Sequence, residues 1–219
     1  MIDLHTHSLL SDGELLPSEL VRRAEVLLYR AIAITDHADA SNIDFVLPRI
    51  IKVAHKINRF FKIDIIPGIE ITHVPPDLIC PLTEEARKLG AHIVVVHGET
   101  IVEPVKPGTN RAALLSPIDI LAHPGLITEE DTILARERGI LLEITTRKGH
   151  SLTNGHVAQM AKKLGAKLVL NTDAHGPQDL VDRDSARKVA LGAGLTEEDF
   201  LKMLTNAEEL ARKYGFLDS

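Results

Sequence analysis

Nine residues that can bind metal ions lie at or just beyond the ends of short apolar runs in this sequence. The set contains six histidines, two aspartates and one glutamate: His5, His7, Asp12, His37, Glu70, His97, His123, Asp173 and His175. Imidazole nitrogens and carboxylate oxygens are ligands of zinc and related transition-metal ions. Because nine such groups exceed the needs of one tetrahedral ion, they predict a site for two or three ions that share a bridging carboxylate.

His5 and His7 are spaced for joint binding. In an extended chain, side chains two residues apart point to the same side, so both imidazoles can reach one ion. Asp12 lies in a Ser-Asp-Gly stretch, which is equally typical of a turn-forming aspartate. Asp36 directly precedes a proposed ligand and is expected to accept a hydrogen bond from an imidazole, a common arrangement around metals. Three further histidines follow strand ends and are candidates for substrate contacts or exposed loop positions: His73, His150 and His156.

Seven apolar runs are expected to form the strands that position these ligands. They cover residues 2–4, 31–35, 63–66, 93–96, 118–122, 140–142 and 168–172. Apolar runs of this length between helical segments are typical of buried parallel strands. Ligands of parallel α/β folds bind at the carboxyl ends of the strands, where these residues fall. A closed or nearly closed parallel barrel is favoured over an open doubly wound sheet, because an open sheet gathers its site mostly at one switch point.

Segments with helical spacing alternate with the apolar runs. The predicted helices cover residues 17–29, 44–61, 83–89, 128–138, 154–164, 179–191 and 196–214, and residues 100–115 are predicted as a loop leading into a short helix. Thr128 and Thr196 each precede acidic residues that suit a first helical turn. No linker or charge block marks a second domain, so one domain over residues 1–219 is expected.

Composition and charge limit the classes of partner. The chain has 219 residues, a formal net charge of −6 and 3% aromatic residues. The acidic balance and the scarcity of aromatic stacking groups count against nucleic acid as the main partner. The single cysteine suggests a reducing compartment, and no leader or membrane-spanning run is evident. A cytoplasmic protein without membrane contact is expected, and its oligomeric state is open.

The order of the ligand motifs resembles that of the polymerase and histidinol phosphatase (PHP) family. The motifs are Asp3-Leu4-His5-Thr6-His7, Thr35-Asp36-His37, Gly68-Ile69-Glu70, His97, Ala122-His123-Pro124 and Asn171-Thr172-Asp173-Ala174-His175. They extend over essentially the whole chain. The resemblance implies a distorted parallel (β/α)7 barrel, TIM-like, with three divalent ions of zinc, manganese or iron at the carboxyl ends of its strands.

The resemblance also implies which of the three ions each ligand binds. The ligands implied for the first ion are His5, His7, Glu70 and Asp173. Glu70 is implied to bridge to a second ion bound by His97 and His123. The ligands implied for the third ion are Asp12, His37 and His175.

The resemblance also implies a reaction, the hydrolysis of a phosphomonoester by a hydroxide that bridges the metal ions. A small phosphorylated metabolite such as histidinol phosphate is the expected substrate, and no catalytic side chain outside the metal site is required. The chemistry agrees, because clustered dications polarise a phosphoryl oxygen and lower the pKa of bound water. Three cations after strand ends are candidates for binding the phosphate: Arg111, Arg147 and Lys148.

Three other functions fit parts of the pattern. A metal-dependent phosphodiesterase or exonuclease on nucleic acid is possible by resemblance, but the acidic balance counts against it. An amidohydrolase-type enzyme that cleaves C–N bonds also begins with His-x-His, but it usually supplies a lysine from the fourth strand, where this chain has His97. A non-catalytic barrel used for binding would have no need of the full ligand set.

Overall fold

Parallel strands form the centre of this protein. The computed structural model describes residues 1–217, and its strands are β1 (Ile2–Asp3), β2 (Ala31–Ile34), β3 (His37–Ala38), β4 (Asp64–Ile71), β5 (Ile93–His97), β6 (Ile120–Ala122), β7 (Leu141–Thr145) and β8 (Leu168–Asn171). Seven of them follow the order β1-β2-β4-β5-β6-β7-β8, and β3 is a short addition that pairs with β4. All of these pairings are parallel. The last two residues of the domain predicted over 1–219 lie outside the described range.

The barrel is nearly closed. The residues that follow β1 and β8 form a seam that is joined by few backbone hydrogen bonds. The backbone N–H of His7 donates to the carbonyl of Ala174 at 2.8 Å. The backbone N–H of Asp173 donates to the carbonyl of His5 at 2.9 Å, and one parallel bridge joins Thr6 to Ala174. The predicted TIM-like parallel barrel is therefore confirmed, and the open doubly wound alternative is wrong.

Side chains alternate between two cores on opposite faces of the sheet. On β2, Ala31 and Ala33 face the barrel interior, whereas Ile32 and Ile34 pack under the surrounding helices. This alternation follows from the period of two in an extended strand. The two alanines share the interior with larger residues of neighbouring strands, such as Ile66 of β4.

Helices follow the strands and cover the outer face of the barrel. They are α1 (Pro17–Val26), α2 (Ile43–Ile57), α3 (Pro76–Leu89), α4 (Thr109–Leu115), α5 (Glu129–Arg138), α6 (Asn154–Leu164), α7 (Arg183–Gly192) and α8 (Glu197–Lys213). Short 3-10 turns occupy Asn58–Phe60 and His150–Thr153. None of the helices within residues 1–217 is long and apolar enough to cross a membrane.

The C-terminal helix α8 closes the amino end of the barrel. Its residues Ala207, Leu210 and Ala211 belong to the apolar cluster that fills the interior. Just beyond the helix, the hydroxyl of Tyr214 lies 2.7 Å from the carboxylate of Asp119, which precedes β6. The opposite, carboxyl end of the strands is thereby left open for a site.

Two helix starts differ from the sequence prediction. The predicted start of α3 at Thr83 is wrong, because the helix begins at Pro76, whose fixed φ and missing N–H suit a first helical position. Pro81 lies inside this helix. Because proline usually interrupts a helix, the sequence before Thr83 does not predict a helical segment. The predicted start of α7 at Asp179 is also wrong, because Asp182 caps the helix by accepting a hydrogen bond from the N–H of Ser185.

Candidate metal centre

Glu70 lies at the centre of a cluster of imidazoles at the carboxyl ends of the strands. It is the seventh residue of the eight in β4, and it is fully buried. Its carboxylate oxygens lie 2.6 Å from Nδ1 of His37 and 3.3 Å from Nε2 of His5. They also lie 3.7 Å from Nε2 of His7 and 3.9 Å from Nε2 of His123. One carboxylate is therefore close to four imidazoles from three different parts of the barrel.

Asp173 is a second buried carboxylate that joins the same imidazoles. Its oxygens lie 3.2 Å from Nε2 of His7, and 3.6 Å from Nε2 of His5 and of His123. Asp173 is the second residue after β8, and His123 directly follows β6. Both have a left-handed backbone, with φ of 52° at Asp173 and 25° at His123. Such strained conformations are costly and are concentrated at functional sites. Here they turn two side chains toward the centre where each strand ends.

A third group of ligands lies nearer the surface. One carboxylate oxygen of Asp12 is 3.3 Å from Nε2 of His175 and 3.5 Å from Nε2 of His37. The ring of His7 lies 4.1 Å, centroid to centroid, from the rings of both His37 and His175. Because the Asp12 side chain is 58% exposed, this group lies at the mouth of the barrel.

The fourth group contains His150, which sequence reasoning left among several possible roles. Ligand atoms of His97, His123 and His150 lie within 4.8 Å of one another. His150 is 7% exposed and its ring is stacked on that of His123 at 4.1 Å. The only sequence signal was its place shortly after β7. The nine predicted ligands are thus brought together, and His150 lies among them.

Gly98 lets the strand end that carries His97 approach its neighbour. A Cβ atom at Gly98 would lie 2.2 Å from the carbonyl oxygen of Ala122, so no other residue fits without moving the backbone. The N–H of Gly98 donates to that same carbonyl at 3.0 Å. This contact brings His97 next to His123, whose ring centroid is 4.5 Å away.

A layer of hydrogen bonds fixes the orientation of the inner ligands. One oxygen of Glu143 lies 2.8 Å from Nδ1 of His5 and accepts from the side-chain amide of Asn171 at 2.9 Å. Its other oxygen accepts from the backbone N–H of His123 at 3.1 Å. With Nδ1 of His5 directed at Glu143, Nε2 is left facing Glu70. Glu143 is therefore a positioning residue for His5.

Asp36 does not have the partner predicted for it. Its carboxylate accepts from the N–H and hydroxyl of Ser8 at 2.7 Å, and from the N–H and hydroxyl of Ser11 at 3.1 and 2.7 Å. The prediction that it orients an imidazole is wrong. Asp36 instead fixes the turn that follows β1, which carries Asp12 to the site.

Burial and neighbouring charges shift the pKa values of the central groups. Burial alone would lower the pKa of His5, but the carboxylates of Glu143 and Glu70 raise it well above its ordinary value. Burial also disfavours the charged form of His37, yet Glu70 raises its pKa to about 9. Burial raises the pKa of Asp173 to about 7. Without metal ions the site therefore holds protons that a bound ion would displace.

The residues present fit bound divalent ions. Within residues 1–217, the buried atoms at the centre without a hydrogen-bond partner are Nε2 of His5, both ring nitrogens of His7, Oε1 of Glu70 and Nδ1 of His123. Nε2 of His5 and Oε1 of Glu70 lie 3.3 Å apart without the geometry of a hydrogen bond. Buried polar atoms without partners are costly, and an ion shared between such atoms removes that cost.

A cavity of about 490 Å³ opens above the centre. Its walls include Asp12, His37, His97, Asp173 and His175, together with polar loop residues such as Asn42. Small-molecule sites commonly have volumes of about 300–1,000 Å³. The ligands thus face a space that a small molecule can occupy.

A family model described as the PHP domain matches residues 3–181. The chain belongs to the PHP family. The resemblance inferred from the ligand motifs is confirmed.

Two relatives match this chain over 90% or more of its length. An uncharacterised protein of Methanocaldococcus jannaschii is 51% identical over 199 residues, which is 90% of this chain and 91% of the relative. A probable phosphatase of Thermoanaerobacter sp. is 26% identical over 248 residues, which is 98% of this chain and 97% of the relative.

Two solved structures have a similar fold. A chain of an archaeal ribonuclease P, solved with mature tRNA, has a TM-score of 0.74 at 20% identity. The match covers 100% of this chain and 93% of the ribonuclease P chain. The histidinol phosphate phosphatase of Lactococcus lactis was solved with zinc, L-histidinol and phosphate. It has a TM-score of 0.62 at 20% identity, and the match covers 89% of this chain and 94% of that chain. At this identity the likeness shows the fold alone, so the expected lack of a nucleic-acid partner stays a prediction.

The three predicted phosphate cations lie at different places on this PHP domain. Arg147 lines the cavity and is paired with Asp179 at 3.0 Å. Lys148 is exposed and lines an adjoining cavity that also includes Arg147. Arg111 is exposed on α4, where it pairs with Asp131 of α5 at 2.9 Å, and it is not among the residues lining either cavity.

Proposed function

We propose that this chain is a metal-dependent phosphoesterase that hydrolyses phosphomonoesters, with a small phosphorylated metabolite such as histidinol phosphate as substrate. The observation that carries the proposal is the group of buried, unpartnered imidazole and carboxylate atoms at the carboxyl ends of the strands. Relatives named as probable phosphatases that match over most of both chains support the reaction class.

The proposal includes three ion positions. The ligands assigned to the first are His5, His7, Glu70 and Asp173; those assigned to the second are Glu70, His97 and His123; those assigned to the third are Asp12, His37 and His175. Glu70 is the shared ligand, because its Oε1 lies 3.3 Å from Nε2 of His5 and 3.9 Å from Nε2 of His123. When bound, zinc, manganese or iron ions polarise a phosphoryl oxygen and activate water.

The chain's own residues supply orientation and charge. Phosphoryl transfer mainly requires positioning of the phosphate and neutralisation of its charge. Arg147 is placed to do both, because its guanidinium has five N–H donors and the contact with Asp179 uses only part of that fork. Lys148 adds positive charge at the adjoining cavity. The cavity volume of about 490 Å³ favours a substrate of metabolite size.

The reaction class is tested with protein purified without chelator and assayed against phosphorylated metabolites, single-stranded DNA and amide or cyclic-urea substrates. We expect turnover of small phosphomonoesters that is lost on chelation and restored by added divalent metal. Chelator-insensitive turnover would contradict the proposal. Faster cleavage of single-stranded DNA would replace it with the exonuclease alternative, and cleavage of amides would replace it with the amidohydrolase alternative.

Arg147→Ala and Arg111→Ala form a matched pair for the phosphate contact. Arg147→Ala should lower kcat/KM for every accepted phosphomonoester by about 10–100-fold, since charged hydrogen bonds contribute roughly 1.5–3 kcal/mol. Arg111→Ala should remain close to wild type, and both variants should retain their metal content. The reverse result would assign the phosphate to Arg111.

A further inference from the structure

Three imidazoles surround one carboxylate at the rim of the metal centre. Glu103 lies in the loop between β5 and α4, and its carboxylate is 2.9 Å from Nε2 of His73, 3.1 Å from Nε2 of His97 and 3.3 Å from Nε2 of His150. His97 is one of the nine ligands assigned above. Glu103, His73 and His150 belong to none of the family motifs, so the cluster is an addition to that set.

His97 has a hydrogen-bond acceptor beside each of its ring nitrogens. Nδ1 lies 3.1 Å from the carbonyl oxygen of Gly98, and Nε2 lies 3.1 Å from the Glu103 carboxylate. A carbonyl can only accept, so Nδ1 carries the proton, and a neutral imidazole has no second proton for Nε2. The lone pair of Nε2 and the carboxylate therefore face each other across a position that requires a cation. That cation is a second ring proton or a metal ion.

Neighbouring imidazoles favour a metal ion at this position. His123 and His150 have ligand atoms within 4.8 Å of those of His97, which adds two more neutral-nitrogen donors. The Nδ1 atom of His150 lies 2.8 Å from the hydroxyl of Thr100, so its Nε2 is left facing Glu103. Adjacent ligands that are each about 2.0–2.2 Å from one zinc ion lie roughly 3–3.6 Å apart. The separations of Glu103 from His97 and His150 fall in that range.

We propose that Glu103 and His150 ligate the same divalent ion as His97 and His123, so that this ion binds the loop over residues 98–108 to the barrel. His73 contributes a hydrogen bond that holds the Glu103 carboxylate in place. The inference rests on the proposed metal centre, but not on the reaction that the centre performs.

The construction of the loop agrees with this role. The carboxylate of Glu99 accepts from the N–H groups of Gly108 and Asn110 at 3.0 and 2.9 Å, which closes the base of the loop without any metal. The tip is exposed, with Ile101 at 55% and Val102 at 45%. The contacts of Glu103 join that exposed tip to the centre. Ion binding should therefore order the tip and leave the base unchanged.

The test measures zinc affinity and loop protection in the full chain. Glu103→Gln and His150→Asn should each weaken zinc at one ion position by at least about 10-fold, because even residues that only orient a ligand cost about 10–100-fold in affinity. In wild type, added zinc should slow amide hydrogen exchange at residues 101–106. Glu103→Gln should lose that protection. Circular dichroism checks that each variant is folded.

Glu99→Gln and His156→Asn are the matched controls. Glu99→Gln removes the same charge from the same loop but no proposed ligand, and the Nε2 of His156 contacts the carbonyl of Ile127 at 2.8 Å. Both controls should bind zinc as wild type does. If Glu103→Gln has wild-type affinity, or if Glu99→Gln loses as much, the inference is overturned and a second proton on His97 accounts for the contact. If wild type itself binds no zinc, manganese or iron, the proposed metal centre fails and the inference fails with it.

Discussion

Glu70 shows how the position of one residue in a strand determines its role. Most of the other ligands end or follow a strand, whereas Glu70 lies inside β4, which continues through Pro67 and Gly68 to Ile71. Its side chain therefore projects from a rigid element, with Nε2 of both His5 and His123 near its Oε1 atom. A shared ligand would benefit from this rigidity, because a small displacement of its carboxylate would disturb the ligand sets of both proposed ions.

Metal binding should release protons at neutral pH. The pKa of His37 is about 9 in the metal-free site, and that of His5 is also raised. Both rings are therefore in the cationic form, with a proton on each nitrogen, at pH 7. A ligating imidazole must be neutral, so ion affinity should increase as pH rises toward 9 and fall in acid. Calorimetric titration with zinc at pH 7, in two buffers of different ionisation enthalpy, should show net proton release to the buffer. A binding heat independent of the buffer would contradict these protonation states.

Residue types and order were sufficient to predict nine candidate ligands, because each follows an apolar run that the fold directs to the same end of the barrel. They were not sufficient to predict that Glu103 and His150 lie beside His97. These residues lie in loops, and their approach depends on contacts such as that between Thr100 and His150, which no spacing rule contains. Arg111 shows the opposite case. It follows β5 closely in sequence, yet helix α4 carries it to Asp131.

At the scale of the element, the sequence predicts two of the three helix starts that have a side-chain cap within residues 1–217, and the start of α7 at Asp182 is the exception. Thr128 and Thr196 cap α5 and α8 as their sequences suggest. The α3 start was missed because prolines at 75, 76 and 81 resemble a break, although a helix accepts proline in its first turn. Strand β4 was predicted to stop at Ile66 for the same reason. Proline and glycine there are tolerated because neighbouring parallel strands hold the segment in register.

The capping box of α8 should make part of the protein's stability sensitive to acid. The backbone N–H of Thr196 donates to the Asp199 carboxylate, and this bond, which outweighs burial, lowers the pKa of Asp199 to about 2. A lowered pKa stabilises the fold above the unfolded value of about 4, and the contribution is lost as pH falls from about 4 to 2. Asp199→Asn should reduce the free energy of unfolding by about 1 kcal/mol at pH 7, and by progressively less in acid.

Urea unfolding of wild type and Asp199→Asn between pH 7 and pH 3 checks this expectation. Glu198→Gln is the control, because it removes a neighbouring charge that pairs with Lys202 rather than with the helix end. A difference between wild type and Asp199→Asn that does not shrink toward pH 3 would show that the carboxylate is not the stabilising group.

At the scale of the whole molecule, the proposed ions should contribute to stability. Their ligands come from the ends of most strands, and the buried atoms without partners would remain unpaired in the metal-free chain. Binding at 100 times Kd stabilises a fold by about 2.7 kcal/mol, and a domain of this size shifts its Tm by about 2–4 °C per kcal/mol. Chelation should therefore lower Tm by about 5–10 °C, as measured by scanning calorimetry. Glu70→Gln should reduce the difference, and an identical Tm with and without chelator would contradict the prediction.

The seam between β1 and β8 has a consequence for the order of events during synthesis. His5 and His7 are among the first residues to be made, and Asp173, which completes their proposed set, comes more than 160 residues later. The backbone bonds of Asp173 and His7 across the seam form only when β8 joins β1. Nearly the whole barrel must therefore be synthesised before the proposed first ion can have its complete ligand set, although Glu70 is made earlier. If the proposed first position binds an ion, completion of that position would be a late event that follows the joining of β8 to β1.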